Sequence, residues 1–528
     1  MTTIMVILVA SMVGFAAATW WRVPVIPLLL LLGVALGATG MLGDTVTVRQ
    51  TMLLGLTFLV FVVGAELDFA RVTGQWRPAI AAALTQFAVL ATLAFGAARL
   101  LRIDTLAALY IAVAVTASST LVIITLLRQR QQFFEPFGRV VIGVLLVQDF
   151  IVLLALPVLT RATEDMNSIA IGLVATLTLM GMALVCRAWL CPLLFLRLRL
   201  DDESMLLAVL TVLFGFIGLS LVAGLPLVIG AFLAGVSLSG FPVNGLVRGH
   251  VTSLADFFLA VFFVTLGASV SLPGLRQLAF ESLLLGTVLL AAPPIVVVVL
   301  RRLGLGMRSA IEASHLLAQC GELSIVVVLL GVERGHVSPG SLSVVVLVAV
   351  VTMSLTPWLA TDTVTWRLMH WFGRRRHAAP AESPRGHILM LGCGRNTRLL
   401  LPRLIATGLP VLVVDDDAGT VEALRREGIQ AVRGDGADYR LLRLVGARDA
   451  RIIVSTMRRL RDHERLLRFA DAARVLIRVF DPADGVRLRQ RGATVIVESE
   501  AAVDQFLDWF DHTFRRSATS PRSAVEPH

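Results

Sequence analysis

The chain has 528 residues, 56% hydrophobic and 16% charged, with a mean hydropathy of +0.82. So apolar a composition excludes an ordinary soluble globule and places most of the chain in a lipid bilayer. The formal charge of +10 comes from 47 basic residues, all arginine, many of them in short breaks between apolar runs, where they set topology rather than bind nucleic acid.

A bilayer crossing needs about 20 mostly apolar residues. That criterion predicts thirteen spans, at 4–19, 23–42, 51–67, 78–101, 106–127, 138–160, 168–195, 204–223, 226–240, 254–272, 279–300, 310–331 and 341–363. The opening MTTIMVILVA has no basic n-region and reads as a retained first span. Alternate loops hold Arg22, Arg71, Arg77, Arg128, Arg130, Arg139, Arg197, Arg199, Arg248, Arg301, Arg302 and Arg308, against chiefly Arg49, Arg102, Arg161, Arg276 and Arg334 in the others. The positive-inside bias then predicts a multi-pass protein of the inner (plasma) membrane, with the N-terminus outside and the C-terminal domain cytoplasmic. In the second span, GVALG sets Gly33 and Gly37 on a small face, read as internal packing ahead of a dimer contact. Glu66 and Asp68 close the third span as packing and interface residues. Cys186, Cys191, Cys320 and Cys393 have no metal spacing and read as small packing residues.

Three polar groups interrupt this pattern. The fifth span carries TASST (116–120), the sixth carries Gln148 and Asp149, and the twelfth carries EASHLLAQCGE, from Glu312 to Glu322. At membrane depth such side chains face a cavity or a partner. TASST marks either an interrupted helix, whose carbonyls and helix ends coordinate a cation, or a packed helix whose hydroxyls bond back to the preceding turn. AQCGE reads as the same kind of interruption. The two lie seven spans apart, as inverted repeats predict for paired broken helices, and Asp149 follows one span after TASST; together these favour transport. Burial disfavours a charged carboxylate, so a proton and a monovalent cation compete for one site at Asp149. Oxygens of Thr116, Ser118, Ser119 and Thr120 complete a shell for a hard cation, with Gln148 and Glu322 in the same set. Glu312 and His315, one turn apart, form either a proton relay or a cap on a packed helix.

FVVGAELD (61–68), TASST, VQD, GLPLVIGAFLAGVSLS (224–239), FFVTLGASV (262–270) and AQCGELSIVVV (319–329) run in this order through nearly the whole membrane region. In these segments the chain resembles the monovalent cation:proton antiporter-2 family, which includes the Kef-type, glutathione-gated potassium-efflux antiporters. The resemblance implies a polytopic α-helical membrane protein of about thirteen transmembrane helices, with inverted repeats and two crossed broken helices. It implies a dimerisation domain, hence a homodimer, and elevator-like alternating access in which Asp149, beside Gln148, binds cation and proton in turn. The implied substrates are K+, ahead of Na+, and H+, with no metal beyond that cargo and no catalytic residue. Many relatives carry a lysine in the eleventh span; here Ala292, Pro293 and Pro294 stand around that position, and the lone carboxylate predicts electroneutral exchange.

After the transmembrane region (1–365) and a basic linker (366–385), residues 386–515 read as a separate α/β domain, with a polar tail at 516–528 predicted to be disordered. GHILMLGCGRNTRLL is a strand running into Gly392-x-Gly394 and a helix, and PVLVV ends at Asp415, twenty-one residues beyond Gly394. This is the order a dinucleotide fingerprint requires, although Thr397 replaces its third glycine. Strands at QAVRGD, RIIVST, VLIRVFD and TVIVES complete a doubly wound, Rossmann-like sheet. Gly392, Gly394, Arg395, Asn396, Asp415 and Asp435 are the predicted nucleotide contacts. The domain, chiefly VVDDDAGTVEALRREGIQAVRGDGAD (413–438), resembles the RCK (TrkA-N-like) nucleotide-binding fold, which implies an adenine nucleotide or NAD(H) as a regulatory ligand. No catalytic dyad accompanies it, so the expectation is a regulated antiporter and no enzyme. The alternatives are a channel-like cation uniporter on the same scaffold and a membrane-anchored NAD-dependent redox protein.

Overall fold

The computed structural model describes residues 2–21, 25–40, 45–66, 75–130, 132–133, 135–193, 201–239, 245–270, 275–372, 385–394, 397–471 and 474–518. Arg395, Asn396, Asp68, most of the predicted linker (373–384) and the end of the predicted tail (519–528) lie outside them. The chain divides into two compact units, one of Met1–Leu303 with Ser309–Arg367, the other of Gly304–Arg308 with Leu368–His528.

The first unit is helical. Its elements are α1 (Thr2–Trp21), α2 (Val25–Thr39), α3 (Thr45–Glu66), α4 (Trp76–Leu100), α5 (Thr105–Thr116), α6 (Thr120–Gln129), α7 (Pro136–Thr160) and α8 (Met166–Val185). A π-helical turn, Cys186–Leu190, extends α8. Then come α9 (Asp202–Val222), α10 (Leu227–Leu238), α11 (Gly245–Ser269), α12 (Leu275–Arg302), α13 (Met307–Leu317), α14 (Glu322–Glu333), α15 (Pro339–Leu359) and α16 (Asp362–Phe372). Every predicted span falls on a helix or a pair of half-helices. Among the described residues, nine are long and apolar enough to cross a bilayer. The spans predicted at 23–42, 226–240, 254–272 and 279–300 fall on α2, α10, α11 and α12, outside those nine.

Two helix groups make up this unit. Helices α1–α3 and α8–α11 pack mainly on one another, as do α4–α7, α12, α14 and α15. Small residues let the backbones close. A Cβ on Gly33 would sit 2.3 Å from the Val264 carbonyl oxygen, and one on Gly37 would sit 2.6 Å from that of Ala268, so the GVALG face is spent on α11 inside the chain. A Cβ on Gly235 of α10 would meet the Phe61 carbonyl of α3 at 2.0 Å. The buried Cys186 and Cys191 thiols lie 3.9 Å apart, one at the start of the π-helical turn and one just after it, with Cys191 Sγ 3.3 Å from the Ser237 carbonyl. They are packing residues, as the sequence suggests.

The second unit is an α/β fold. A short 3₁₀ turn (Thr397–Leu400) leads into α17 (Leu401–Ile405), and α18 (Ala418–Arg426), α19 (Tyr439–Leu444), α20 (Leu460–Phe469), α21 (Pro482–Arg489) and α22 (Glu498–Ala518) follow. Strands β1 (Ile388–Leu391), β2 (Val411–Asp415), β3 (Gln430–Arg433), β4 (Ile452–Ser455), β5 (Val475–Val479) and β6 (Thr494–Val497) form one parallel sheet of order β3-β2-β1-β4-β5-β6. All six predicted strands are present. Alternation divides the core: Leu389, Leu391, Leu412 and Val414 pack on one face, Ile388, Met390, Val411 and Val413 on the other. Helix α16 runs into the predicted linker, and α22 continues past residue 515.

Candidate functional site

Two helices of the first unit are broken at membrane depth, and the breaks meet. The fifth span stops at Thr116, runs extended through Ala117, and restarts at Thr120. The twelfth stops at Leu317 and restarts at Glu322. A break leaves backbone donors and acceptors unpaired within each helix, and in hydrocarbon they need partners. Here each break satisfies the other. The Gly321 N–H donates to the Ala117 carbonyl (2.8 Å), as does the Ser324 hydroxyl (3.0 Å). The Ser118 hydroxyl donates to the Leu317 carbonyl (2.8 Å). Glu322 Oε1 accepts the Thr120 and Leu121 N–H groups (3.2 and 3.4 Å), placing a carboxylate on the positive end of α6. Gly321 permits this approach, since a Cβ there would stand 2.6 Å from the Ser118 carbonyl.

Asp149 reaches the same place from α7. It is 1% exposed; its Oδ2 accepts the Thr120 hydroxyl (3.2 Å), and its Oδ1 has no partner among the described residues. Gln148, also 1% exposed, accepts the Ser118 N–H on Oε1 (3.4 Å) and leaves Nε2 without a partner among the described residues. Glu322 Oε2 is a third buried polar atom with none. Unpaired buried polar atoms are costly, and three of them, from Gln148, Asp149 and Glu322, gather on this one crossover.

The predicted ligands divide by use. Thr120 serves Asp149. Ser119 caps α6 by accepting the Val122 N–H (3.3 Å), and Ser118 joins the two breaks. The Thr116 hydroxyl bonds back to the Val113 carbonyl at 2.6 Å, as in a packed helix, while the helix is interrupted over the residues that follow. His315 Nδ1 lies 2.8 Å from the Ile311 carbonyl of its own helix, and Glu312 is buried on that helix. Two features escaped the sequence reading. The α15 hydroxyls of Thr352 and Thr356 hold the second break, at the Cys320 N–H (3.2 Å) and Gln319 Oε1 (3.2 Å). Gln86 of α4 donates to the Leu317 carbonyl (3.2 Å). The signal for Gln86 was available: it is the one amide in its span.

In the second unit the sheet order changes direction between β1 and β4, where ligands bind in doubly wound folds. Gly392 leaves β1 at φ +85°, a conformation that favours glycine, and its Cβ would meet Thr456 Oγ1 at 2.9 Å. Thr456 follows β4 and donates to the Gly392 carbonyl (3.0 Å); no motif announced it. Asp415 ends β2 with Oδ2 on the Cys393 N–H (2.6 Å) and Oδ1 on the Asp417 N–H (2.9 Å). Burial raises its carboxyl above the usual range, and those N–H groups oppose the shift. Asp435 Oδ1 accepts the Ala437 N–H (2.9 Å). The predicted contacts Gly392, Asp415 and Asp435 thus lie at the carboxyl ends of neighbouring strands.

A polytopic membrane protein with crossed broken helices around buried carboxylates, joined to a doubly wound α/β domain, is the class that fold and site define. Residues 5–361 match the sodium/hydrogen exchanger transmembrane family, and the chain belongs to it; residues 388–499 match the TrkA-N domain. Among curated proteins, K(+) efflux antiporter 1, chloroplastic, of Arabidopsis thaliana is 27% identical over 84% of this chain and 39% of its own length. K(+) efflux antiporter 2, chloroplastic, of the same plant is 26% identical over 84% of this chain and 40% of its own. The chain thus spans about two-fifths of these plant relatives. The putative cation/proton antiporter YbaL of Escherichia coli (strain K12) is 26% identical over 81% of each chain. Solved structures similar to this chain include the TrkA-N domain of E. coli YbaL (20% identity, TM-score 0.23, 24% of this chain and 98% of that one). Another is the GsuK channel bound to NAD (21% identity, TM-score 0.22, 42% of this chain and 41% of that one).

Proposed function

We propose that the chain exchanges a monovalent cation, K+ ahead of Na+, for protons at Asp149, and that a nucleotide bound to its TrkA-N domain regulates the exchange. One observation carries the reading: a buried carboxylate at the meeting of two broken helices, with one oxygen on the Thr120 hydroxyl and the other without a partner. An unpaired carboxylate in a low-dielectric site takes one positive charge at a time. A cation on Asp149 Oδ1 displaces the proton, and a returning proton displaces the cation. With one carboxylate turning over, one proton moves per cation and the exchange is electroneutral. Alternating access of the elevator kind moves the crossover between the two faces of the membrane; the division of the helices into two packed groups supports this reading. The homodimer, the outside N-terminus and the cytoplasmic C-terminal domain of an inner-membrane protein belong to the same proposal. The names of the relatives favour K+ as the substrate.

The nucleotide reading rests on the turn at Gly392 and the acid at Asp415. Backbone there accommodates a pyrophosphate, and a carboxylate at the end of β2 takes ribose hydroxyls. NAD(H) or another adenine nucleotide is the ligand class.

Purified full-length protein in liposomes, loaded with a pH-sensitive dye, should give pH transients on addition of K+, and weaker ones with Na+. Asp149→Asn should abolish them. Normal exchange by that variant would remove Asp149 from the mechanism. Cation flux without proton movement would make the protein a uniporter, and a potential-dependent exchange current would overturn the one-to-one stoichiometry.

A further inference from the structure

Gln86 is 1% exposed on α4 and belongs to none of the motifs that mark the exchange site. Its Nε2 donates to the Leu317 carbonyl at 3.2 Å, and the Ser118 hydroxyl donates to the same oxygen at 2.8 Å. A carbonyl oxygen offers two lone pairs, so this one is fully engaged. Leu317 ends α13, where the negative end of a half-helix enters the crossover. The Ala117 carbonyl beyond α5 is engaged in the same way by Gly321 and Ser324. Neutral donors therefore satisfy both negative ends, while the Glu322 carboxylate serves the positive end of α6. Three of the four donors belong to the broken spans themselves. Of these four, Gln86 is the one that reaches in from another helix, as Thr352 and Thr356 of α15 do at the neighbouring Cys320 and Gln319. Because its partner is a carbonyl, the amide is oriented with nitrogen inward, and Oε1 is left as a buried acceptor with no partner among the described residues.

We propose that Gln86 is a positioning residue of the exchange site: by holding the Leu317 carbonyl against the Ser118 hydroxyl, it fixes the TASST break and so sets the affinity for the transported cation. The connection is short. Ser118, tied to Leu317 by its hydroxyl, donates its N–H to Gln148; two residues on, Thr120 donates to Asp149. Without the amide, the Leu317 carbonyl keeps one donor of two and loses its hydrogen bond from α4. A carboxylate in its place sets negative charge beside a negative helix end. This inference rests on Asp149 as the exchange site.

The test is the initial rate of exchange by full-length protein in liposomes, against K+ and Na+ concentration, for wild type, Gln86→Leu, Gln86→Glu and Asp149→Asn. Gln86→Leu keeps the volume and loses the donor. It should raise KM for the cation about tenfold, 1.4 kcal/mol, with kcat within about twofold, and Gln86→Glu should raise it further. A packing role predicts an unchanged KM for Gln86→Leu, and that result, or a fall in kcat alone, overturns the proposal. Gel filtration in detergent checks assembly; should Gln86→Leu not assemble, Gln86→Glu carries the comparison, with Ser118→Ala, which removes the other donor from the same carbonyl, expected to raise KM alike. Normal exchange by Asp149→Asn overturns the site itself. A silent Asp149→Asn beside a wild-type KM in Gln86→Leu overturns only the role of Gln86.

Discussion

At the scale of single residues, charge is placed where its cost is offset or used. Asp416, directly after β2, shows the cost: its side chain is solvent-exposed, yet partial desolvation by the surrounding chain, then the neighbouring charges of Asp415, Asp435 and Asp417, push its carboxyl up to about 7. A group whose folded value lies above its unfolded one favours the folded state while it holds its proton. Below pH 4 both states are protonated; between about 4 and 7 only the folded one is, so stability falls as pH rises through this window and is flat beyond it. Asp416→Asn removes the titration. Because the side chain is exposed and solvent screens its neighbours, the substitution should leave the domain only slightly more stable than wild type at pH 8, by less than about 1 kcal/mol, with the advantage gone near pH 4. Amide hydrogen exchange across β2 in the full-length protein, corrected for intrinsic rates, reads this directly; equal protection at pH 8 would show that Asp416 carries no such strain. Glu322 shows the opposite case, a carboxylate put to structural use on the N–H groups of Thr120 and Leu121. Glu322→Ala leaves those donors buried and unpaired and should lower the thermal stability of the detergent-solubilised protein by about 1–3 kcal/mol, whereas Glu322→Gln, which keeps the acceptor, should lose less. Equal losses would assign the effect to packing.

At the scale of elements, the broken helices were legible as positions and not as an arrangement. TASST and AQCGE announced interruptions because polar clusters interrupt otherwise apolar spans. Which carbonyl meets which donor depends on how two spans cross, and no local pattern carries that. Thr352 and Thr356 were missed for this reason: each is an ordinary polar residue until a neighbouring helix supplies its partner, whereas Gln86, the one amide in its span, was a signal that the reading passed over. The strands of the α/β domain were readable in full, since apolar runs ending in glycine and aspartate punctuate a parallel sheet. Thr456 was not, because it acts across the sheet on Gly392. The crossover itself yields a sharp comparison. Gly321→Ala drives a Cβ to 2.6 Å from backbone atoms of Ser118, which cannot move without opening the break, whereas Gly96→Ala, on a helix of the same unit, meets nothing within 4 Å. The first should reduce exchange at least tenfold at equal protein density. The second should leave exchange unchanged and stabilise slightly, by up to about 1 kcal/mol. Comparable activity in the two would mean that the breaks do not need their close approach.

At the scale of the whole molecule, two chemistries share one chain, and each must be testable without the other. Binding to the folded state alone stabilises it by an amount that ligand concentration sets, about 2.7 kcal/mol at a hundred times Kd. NAD(H) or ADP should therefore increase protection of β1 and β2 amides in the full-length protein. Asp415→Ala should abolish the increase, because Asp415 braces the Cys393 N–H at the turn and lies at the end of β2 where ribose is expected. Asp149→Asn should keep it, since the role proposed for that residue is ion exchange alone. The reciprocal holds for transport: nucleotide should change the exchange rate of wild type in liposomes, and Asp415→Ala should exchange at a rate that nucleotide no longer alters. If Asp415→Ala binds nucleotide as wild type does, the ligand lies elsewhere on the domain. If it loses binding while exchange still responds to nucleotide, the regulatory site is not the one at Gly392 and Asp415, and the sheet's switch point has another use.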